Sequence, residues 1–312
     1  MIGVVGEALI DLKVGEDDPR RPEAHPGGSP MNVAVTLGRL ESEVAFLGRF
    51  SADPFGRLLR SHLADSGVDL RWAVEAAEPT SLAVVSVGRD GGASYSFHVR
   101  GTADWQWTPA ELPDAPAFDA VHAGSLALAL EPGGPVLGRW LERLAASATV
   151  SLDPNVRPAL LGDRAAYRGR LERWLACSGV VKVSDEDLAW ISPGADPVAV
   201  AREWAAAGPR LVVVTRGGEG SLVLCDGEEA IVPARRTDVV DTVGAGDSFS
   251  GALLDWLGRH GRLRPGDLER LTGAEARAAV AFAAEVAALT CSRPGADPPR
   301  RRELTAPQMT RE

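Results

Sequence analysis

The segment Asp241-Thr242-Val243-Gly244-Ala245-Gly246-Asp247-Ser248-Phe249 sets one carboxylate between a Gly-rich turn and an amphipathic run. From Phe249 onward the apolar residues Phe249, Ala252, Leu253, Trp256 and Leu257 recur at helical spacing, so a helix is expected to begin at the glycines. The first N–H groups of a helix lack partners inside it, and the macrodipole adds roughly half a positive charge, so such a turn can hold an anion. Gly244 and Gly246 let a phosphate approach the backbone closely. Asp247 then has two readings: an ordinary N-terminal cap, or a base acting beside the bound anion.

A second Gly-rich turn opens a helix near the other end of the chain. Gly27-Gly28-Ser29-Pro30-Met31-Asn32 precedes Val33, Leu37 and Leu40, again at helical spacing. Gly28 and Asn32 fit either a packing turn with a satisfied amide or a site for hydroxyl groups. Residues 2–10 read as a buried strand with Asp11 just beyond it. Ligands of open parallel sheets bind beyond strand ends, so Asp11 is either a hydroxyl acceptor or a turn residue.

These groups must be positioned by the elements around them. Residues 121–124, 149–152, 180–183 and 211–215 are short apolar strands, and 137–144, 168–176 and 198–207 are amphipathic helices between them. That alternation implies a mainly parallel sheet covered on both faces, with 222–224 and 230–232 as an antiparallel pair at its end. Between Thr80 and Ala103 the period falls to two around Arg89-Asp90-Gly91-Gly92, which is a β-hairpin. Polar residues follow three strands. Asp153-Pro154 reads as a plain turn leading to Asn155 and Arg157. Ser184 reads as a helix cap with Asp187 as the far half of a weak capping box. Arg216-Gly217-Gly218-Glu219-Gly220 is Gly-rich but lacks the Lys-Ser or Lys-Thr of a Walker A loop.

The nine residues from Asp241 resemble the C-terminal signature of the ribokinase-like (PfkB) carbohydrate kinases, and Gly27 to Asn32 resembles the N-terminal one. The two stand in the family's order, about two hundred residues apart. The resemblance covers essentially the whole chain and implies a three-layer α/β/α sandwich with a small β lid, as a single unit over residues 1–312. The lid is expected at about 12–26 and 71–103, the core at 1–11, 27–70 and 104–296, and a loose tail at 297–312. It implies ATP-dependent phosphorylation of a sugar hydroxyl, with Asp247 as base and Gly244, Ala245 and Gly246 as the anion hole. Asp11, Gly28, Asn32, Arg100, Asn155 and Arg157 would meet the sugar, although Arg100 fits a solvent salt bridge as well. Lys182, Ser184, Thr215, Gly217, Gly220 and Gly246 would lie along the nucleotide. Asp187 would organise Mg2+ indirectly, and Asp241 is the candidate contact for a monovalent cation. Pro299 stands where cation-activated members end with a Ser, which argues against K+. Gly-Gly-Ser-Pro-Met-Asn and Asp-Pro-Asn-Val-Arg are closest to the fructokinase branch, with 2-keto-3-deoxygluconate kinase or ribokinase as alternatives.

Composition restricts the rest. The chain has 312 residues, 45% hydrophobic, and a net charge of −10, which argues against nonspecific binding to nucleic acid or an anionic membrane. No stretch approaches the roughly 18 apolar residues of a membrane span, and the N-terminus lacks a basic leader. Three scattered cysteines without metal spacing suit a cytoplasmic protein. A lid with one exposed β face could pair with a second copy. A catalytically silent sugar or nucleotide sensor is the rival from another class. A dinucleotide-binding oxidoreductase fits less well, because Phe249 stands where its fingerprint wants Gly or Ala.

Overall fold

The computed structural model describes residues 1–15, 18–87, 93–114 and 118–304. The N-terminal part runs β1 (Ile2–Val5), β2 (Leu9–Val14), β3 (Glu23–Gly27), α1 (Ser29–Arg39), β4 (Val44–Leu47), β5 (Arg49–Ser51) and α2 (Pro54–Asp65). Three short strands follow, β6 (Val74–Ala76), β7 (Leu82–Val87) and β8 (Ala93–His98). The middle alternates β9 (Ala120–Gly124), α3 (Ser125–Ala129), α4 (Gly134–Leu144), β10 (Thr149–Asp153), α5 (Arg164–Ala176) and β11 (Val180–Ser184). Then come α6 (Asp185–Ile191), α7 (Pro197–Ala206), β12 (Leu211–Thr215), β13 (Ser221–Cys225) and β14 (Glu228–Val232). The chain closes with α8 (Ala245–Arg259), α9 (Pro265–Leu268), α10 (Gly273–Cys291) and α11 (Arg301–Leu304).

Eight strands form one sheet in the order β14-β13-β12-β11-β10-β9-β1-β4, parallel from β4 to β12 and antiparallel at β13 and β14. Strand periodicity separates two cores. Val5, Val181, Val212 and Val214 face the layer of α3 to α7, whereas Val4, Val180, Leu211 and Val213 face α1, α2, α8 and α10. Helices therefore cover both faces, the three-layer arrangement that the βα alternation implied. After β1 the chain goes to β4 on one side and returns to β9 on the other, so a crevice opens beyond the carboxyl ends of β1 and β9.

A second sheet, β3-β2-β7-β8, stands apart from the first. Its extent differs from the expected lid. β2 already begins at Leu9, because the run 2–10 breaks at Gly6 to Ala8, and Asp11 lies inside β2 instead of at the end of β1. Residues 71–81 are not part of this sheet: Val74–Ala76 pairs with β5 in a separate two-stranded ribbon. The hairpin turn at 88–92 lies outside the described residues.

The expected loose tail also needs correction for residues 297–304. Arg39 Nη1 reaches Asp297 Oδ1 at 2.5 Å and the Pro298 carbonyl at 2.7 Å, Pro298 and Pro299 are buried, and Arg301 pairs with the fully buried Asp255. Polar composition suggested solvent, but Arg301 donates to the buried Asp255 on α8 and to the Leu40 carbonyl that ends α1, while Arg39 of α1 donates to the tail. Residues 305–312 lie outside the described part.

Candidate active site

Two helix starts meet at the carboxyl edge of the sheet. Gly28 precedes α1 with φ 109°, and a Cβ there would lie 2.7 Å from the Glu7 carbonyl oxygen, so only glycine fits. Ser29 and Asn32, three residues apart, share one face of the first turn. Gly244 precedes α8 at φ 76°, and Asp247 is the third residue of that helix. The carboxylate does not cap its own helix. Its Oδ1 accepts from Ser29 Oγ at 2.7 Å and Asn155 Nδ2 at 3.2 Å, and its Oδ2 accepts from Asn32 Nδ2 at 2.8 Å. Burial raises the Asp247 carboxyl above its ordinary value, and the Ser29 and Asn32 donors oppose that rise.

Asn155 is held in the left-handed region, φ 39°, beyond the end of β10. That turn aims its amide at Ser29 Oγ, 2.7 Å away, as well as at Asp247, while Arg157 Nη1 donates to its Oδ1. Asp11, on β2, joins the same space. Burial raises its carboxyl, the Arg157 charge opposes, and the Asp247 charge adds to the rise. A Cβ at Gly27 would fall 2.2 Å from Asp11 Oδ2, so β3 passes flat against that carboxylate.

Behind the α8 turn lies a buried ion pair that the plain-turn reading of Asp153 missed. Asp153 ends β10 at 1% exposure and receives Lys182 Nζ at 2.9 Å and Ser250 Oγ at 3.3 Å. Its Oδ1 has no partner among the described residues. Burial opposes the charge of Lys182, but Asp153, with Asp247 and Asp187 beyond it, raises its pKa nonetheless. The Lys182 ammonium lies 2.8 Å from where a Cβ of Gly246 would be, so it abuts the turn that opens α8. Asp153 occupies a strand end, the same signal that singled out Asp11, and could have been read by that rule; Ser29 lay unassigned between Gly28 and Asn32.

Ser184 caps α6, accepting from Asp187 N at 3.0 Å. The expected return half of a capping box is absent: Asp187 Oδ1 instead accepts from Val156 N at 3.0 Å, which ties α6 to the Asn155 loop. Burial, with Asp153 adding, pushes the Asp187 carboxyl up to about 6. Thr215 pairs in register with Ser184, and the exposed Gly217 (φ 48°) and the buried Gly220 (φ 91°) turn the chain from β12 to β13. These three line the sheet's carboxyl edge beyond Lys182 and make no hydrogen bond to the Asp247 cluster. Asp241 accepts from Val243 N at 3.0 Å and Gly295 N at 2.9 Å; against burial, these donors hold its carboxyl below the usual range. Arg100 is exposed and makes no hydrogen bond or ion pair among the described residues, so the structure leaves it out of the cluster.

Gly244 gives a direct test of the α8 turn. An added Cβ would meet Ala296 Cβ at 2.5 Å and Cα at 2.9 Å in a left-handed conformation. Gly244→Ala is expected to cost about 1–3 kcal/mol in urea unfolding. An unchanged midpoint would mean that the turn is not held against the 291–296 loop.

A parallel sheet with helices on both faces, a second β sheet beside its crevice and a buried Asp between two Gly-opened helix starts define a kinase-like α/β enzyme. Residues 1–302 match the pfkB family of carbohydrate kinases, and the chain belongs to that family. A fructokinase of Klebsiella pneumoniae is 40% identical over 263 residues, covering 83% of this chain and 85% of the relative. The crystal structure of fructokinase with bound ATP from Xylella fastidiosa has a TM-score of 0.87 at 31% identity, over 95% of this chain and 93% of that one. A fructokinase structure from Vibrio cholerae O395, in a fructose-, ADP- and calcium-bound form, has a TM-score of 0.80 at 30% identity, over 95% and 94%. The protein is thus an ATP-dependent sugar kinase. Among the described residues no helix is long and apolar enough to cross a membrane.

Proposed function

We propose that the chain transfers the γ-phosphate of ATP to a hydroxyl of fructose in the cytoplasm. The observation that carries this reading is the buried Asp247 carboxylate, fixed by Ser29, Asn32 and Asn155 at the mouth of α8. The sugar lies between the start of α1 and the second sheet, which acts as a lid, with Asp11 accepting from its hydroxyls. Asp247 takes the proton of the attacking hydroxyl, which its raised pKa favours. The N–H groups of the Gly244-Ala245-Gly246 turn receive the charge that spreads over the transferring phosphate. Lys182, beside that turn, adds a cation on the same side. Ser184, Thr215, Gly217 and Gly220 run along the nucleotide. Lid closure excludes water and suppresses wasteful hydrolysis of ATP.

Among the described residues there is no group of three or more His, Cys, Asp or Glu side chains able to hold a metal. The donors suit a cation that arrives on the phosphates and is steadied through water by Asp187, the position Mg2+ takes in this reading. When bound there, Mg2+ neutralises phosphate charge. Pro299 offers no hydroxyl, which supports activity without K+, although Asp241, with one backbone N–H on each oxygen, keeps a lone pair on each.

A neutral sugar is favoured over 2-keto-3-deoxygluconate because two carboxylates, Asp11 and Asp247, face the space and Arg100 makes no ion pair with either among the described residues. Release of ADP with Mg2+ and ATP, measured against fructose, ribose, 2-keto-3-deoxygluconate, adenosine and fructose phosphates, is expected to be strongest with fructose. Preference for the acidic sugar would overturn the assignment of acceptor. ATP binding without turnover on any of them would favour the sensor.

A further inference from the structure

Four stretches of chain connect the large sheet to the second sheet: residues 6–8 between β1 and β2, residue 28 after β3, residues 77–81 ahead of β7, and residues 99–104 after β8. Asp104, 1% exposed, fastens three of them. Its Oδ1 accepts from Ala8 N at 2.9 Å, its Oδ2 meets Ser81 Oγ, and it sits itself on the fourth stretch. The remaining stretch rests on the first, with Gly28 against the Glu7 carbonyl.

The hydrogens along this chain of oxygens can be counted. Asp104 Oδ2 meets Ser81 Oγ, Ser81 Oγ lies 2.6 Å from Thr102 Oγ1, and Thr102 Oγ1 lies 2.9 Å from the Val99 carbonyl oxygen. Three oxygen–oxygen contacts need three hydrogens, and the two hydroxyls carry one each. With an ionised carboxylate, one close contact is left without a hydrogen in a dry site. A proton on Asp104 completes the series, with Asp104 donating to Ser81, Ser81 to Thr102 and Thr102 to Val99.

We infer that Asp104 is the pin of the hinge on which the second sheet moves, a positioning residue that works as a neutral carboxyl donating to Ser81. This rests on the reading of that sheet as the sugar lid. The surroundings agree. Burial, with Glu7 adding, pushes the Asp104 carboxyl up to about 7. Glu7 is itself buried, which raises its carboxyl, and it accepts from Ala127 N at 3.1 Å. Arg49 donates to the Ala103 carbonyl at 3.3 Å, but its charge is shared with Glu78 at 3.4 Å and Glu111 at 3.3 Å.

The test compares Asp104→Asn and Asp104→Ala in the full chain. An Asn amide donates to Ser81 while its oxygen accepts from Ala8, so the neutral pattern is kept. Assayed at about pH 6, where the wild-type carboxyl is protonated, the Asn variant is expected to hold its sugar KM within about threefold of the wild type. The Ala variant, with Ala8 N unpaired and Ser81 left with Thr102 alone, should raise the KM about tenfold and increase ATP hydrolysis without sugar. Melting gives a readout independent of the lid. Because the folded carboxyl titrates near 7 and the unfolded one near 3.8, the folded state binds more protons between these values. Wild-type stability from this group therefore falls as pH rises through that window, whereas Asn does not titrate. The melting temperature of the Asn variant relative to the wild type should accordingly rise from about pH 5 to about pH 8. A relative melting temperature that stays constant with pH, or an Asn variant as impaired as Ala, would overturn the neutral pin. Loss of melting temperature in the Ala variant with no change in sugar KM would overturn the hinge role, while leaving the kinase reading to its own assay.

Discussion

Replacing Asp247 with Asn or Ala is expected to lower kcat by about 10² to 10⁴, the usual span for a general base. The two variants fail for different reasons. Asp247 is an acceptor to three donors, Ser29, Asn32 and Asn155. An Asn at 247 turns one acceptor into a donor facing an amide NH2 that can only donate, so it loses the base and misaligns the amides. Ala removes the base and leaves two buried donors, Ser29 and Asn32, and the half-buried Asn155 without it. The sugar KM should change far less than kcat, because Asp11 and the α1 turn remain. A pH profile separates base from scaffold. The wild-type rate should rise with pH as Asp247 loses its proton, over a window shifted upward from the ordinary carboxylate range because burial raises its pKa. Residual activity in the variants should lack that acidic limb. Near-normal turnover by Asp247→Ala would remove Asp247 from the proton transfer.

Much of this site could be read from the chain because its chemistry is local. Gly27 to Asn32 and Gly244 to Asp247 announce two helix starts through spacing that needs no partner, and the βα alternation from 121 to 215 fixes the sheet between them. What stayed hidden depends on contacts distant in sequence. Ser29 and Asp247 are 218 residues apart, and nothing near either tells which of Ser29, Met31 or Asn32 turns toward the acid. Asp153 looked like a turn residue beside Pro154, yet its partners Lys182 and Ser250 lie on another strand and a distant helix. Asp187 sat at capping-box spacing, but Val156 N offered a better-placed donor than its own helix start. The docking of residues 297–304 failed to show for the same reason: an arginine reads as solvent until Asp255 is known to be buried beneath it.

The Lys182–Asp153 pair carries the second large expected effect. Asp153 is 1% and Lys182 5% exposed, and one Asp153 oxygen already lacks a partner among the described residues. Removing the cation leaves a buried carboxylate uncompensated, so Lys182→Met should destabilise the fold by about 3–5 kcal/mol in urea unfolding. Replacing both members with uncharged groups of similar volume removes the cost of burying the two charges, and the Lys182→Met/Asp153→Asn variant is expected to recover most of that loss. Activity should not recover with it. The ammonium abuts the Gly246 turn, where the proposed function puts the transferring phosphate, and no other buried Lys stands among the described residues to replace it. Unfolding and turnover thus respond differently to the second substitution. If the double variant regained turnover along with stability, Lys182 would serve only to neutralise Asp153, and the anion hole would have to work through backbone N–H groups alone. If stability returned while kcat stayed low and the KM for ATP rose, the same lysine would hold the fold in the resting enzyme and the phosphate during transfer.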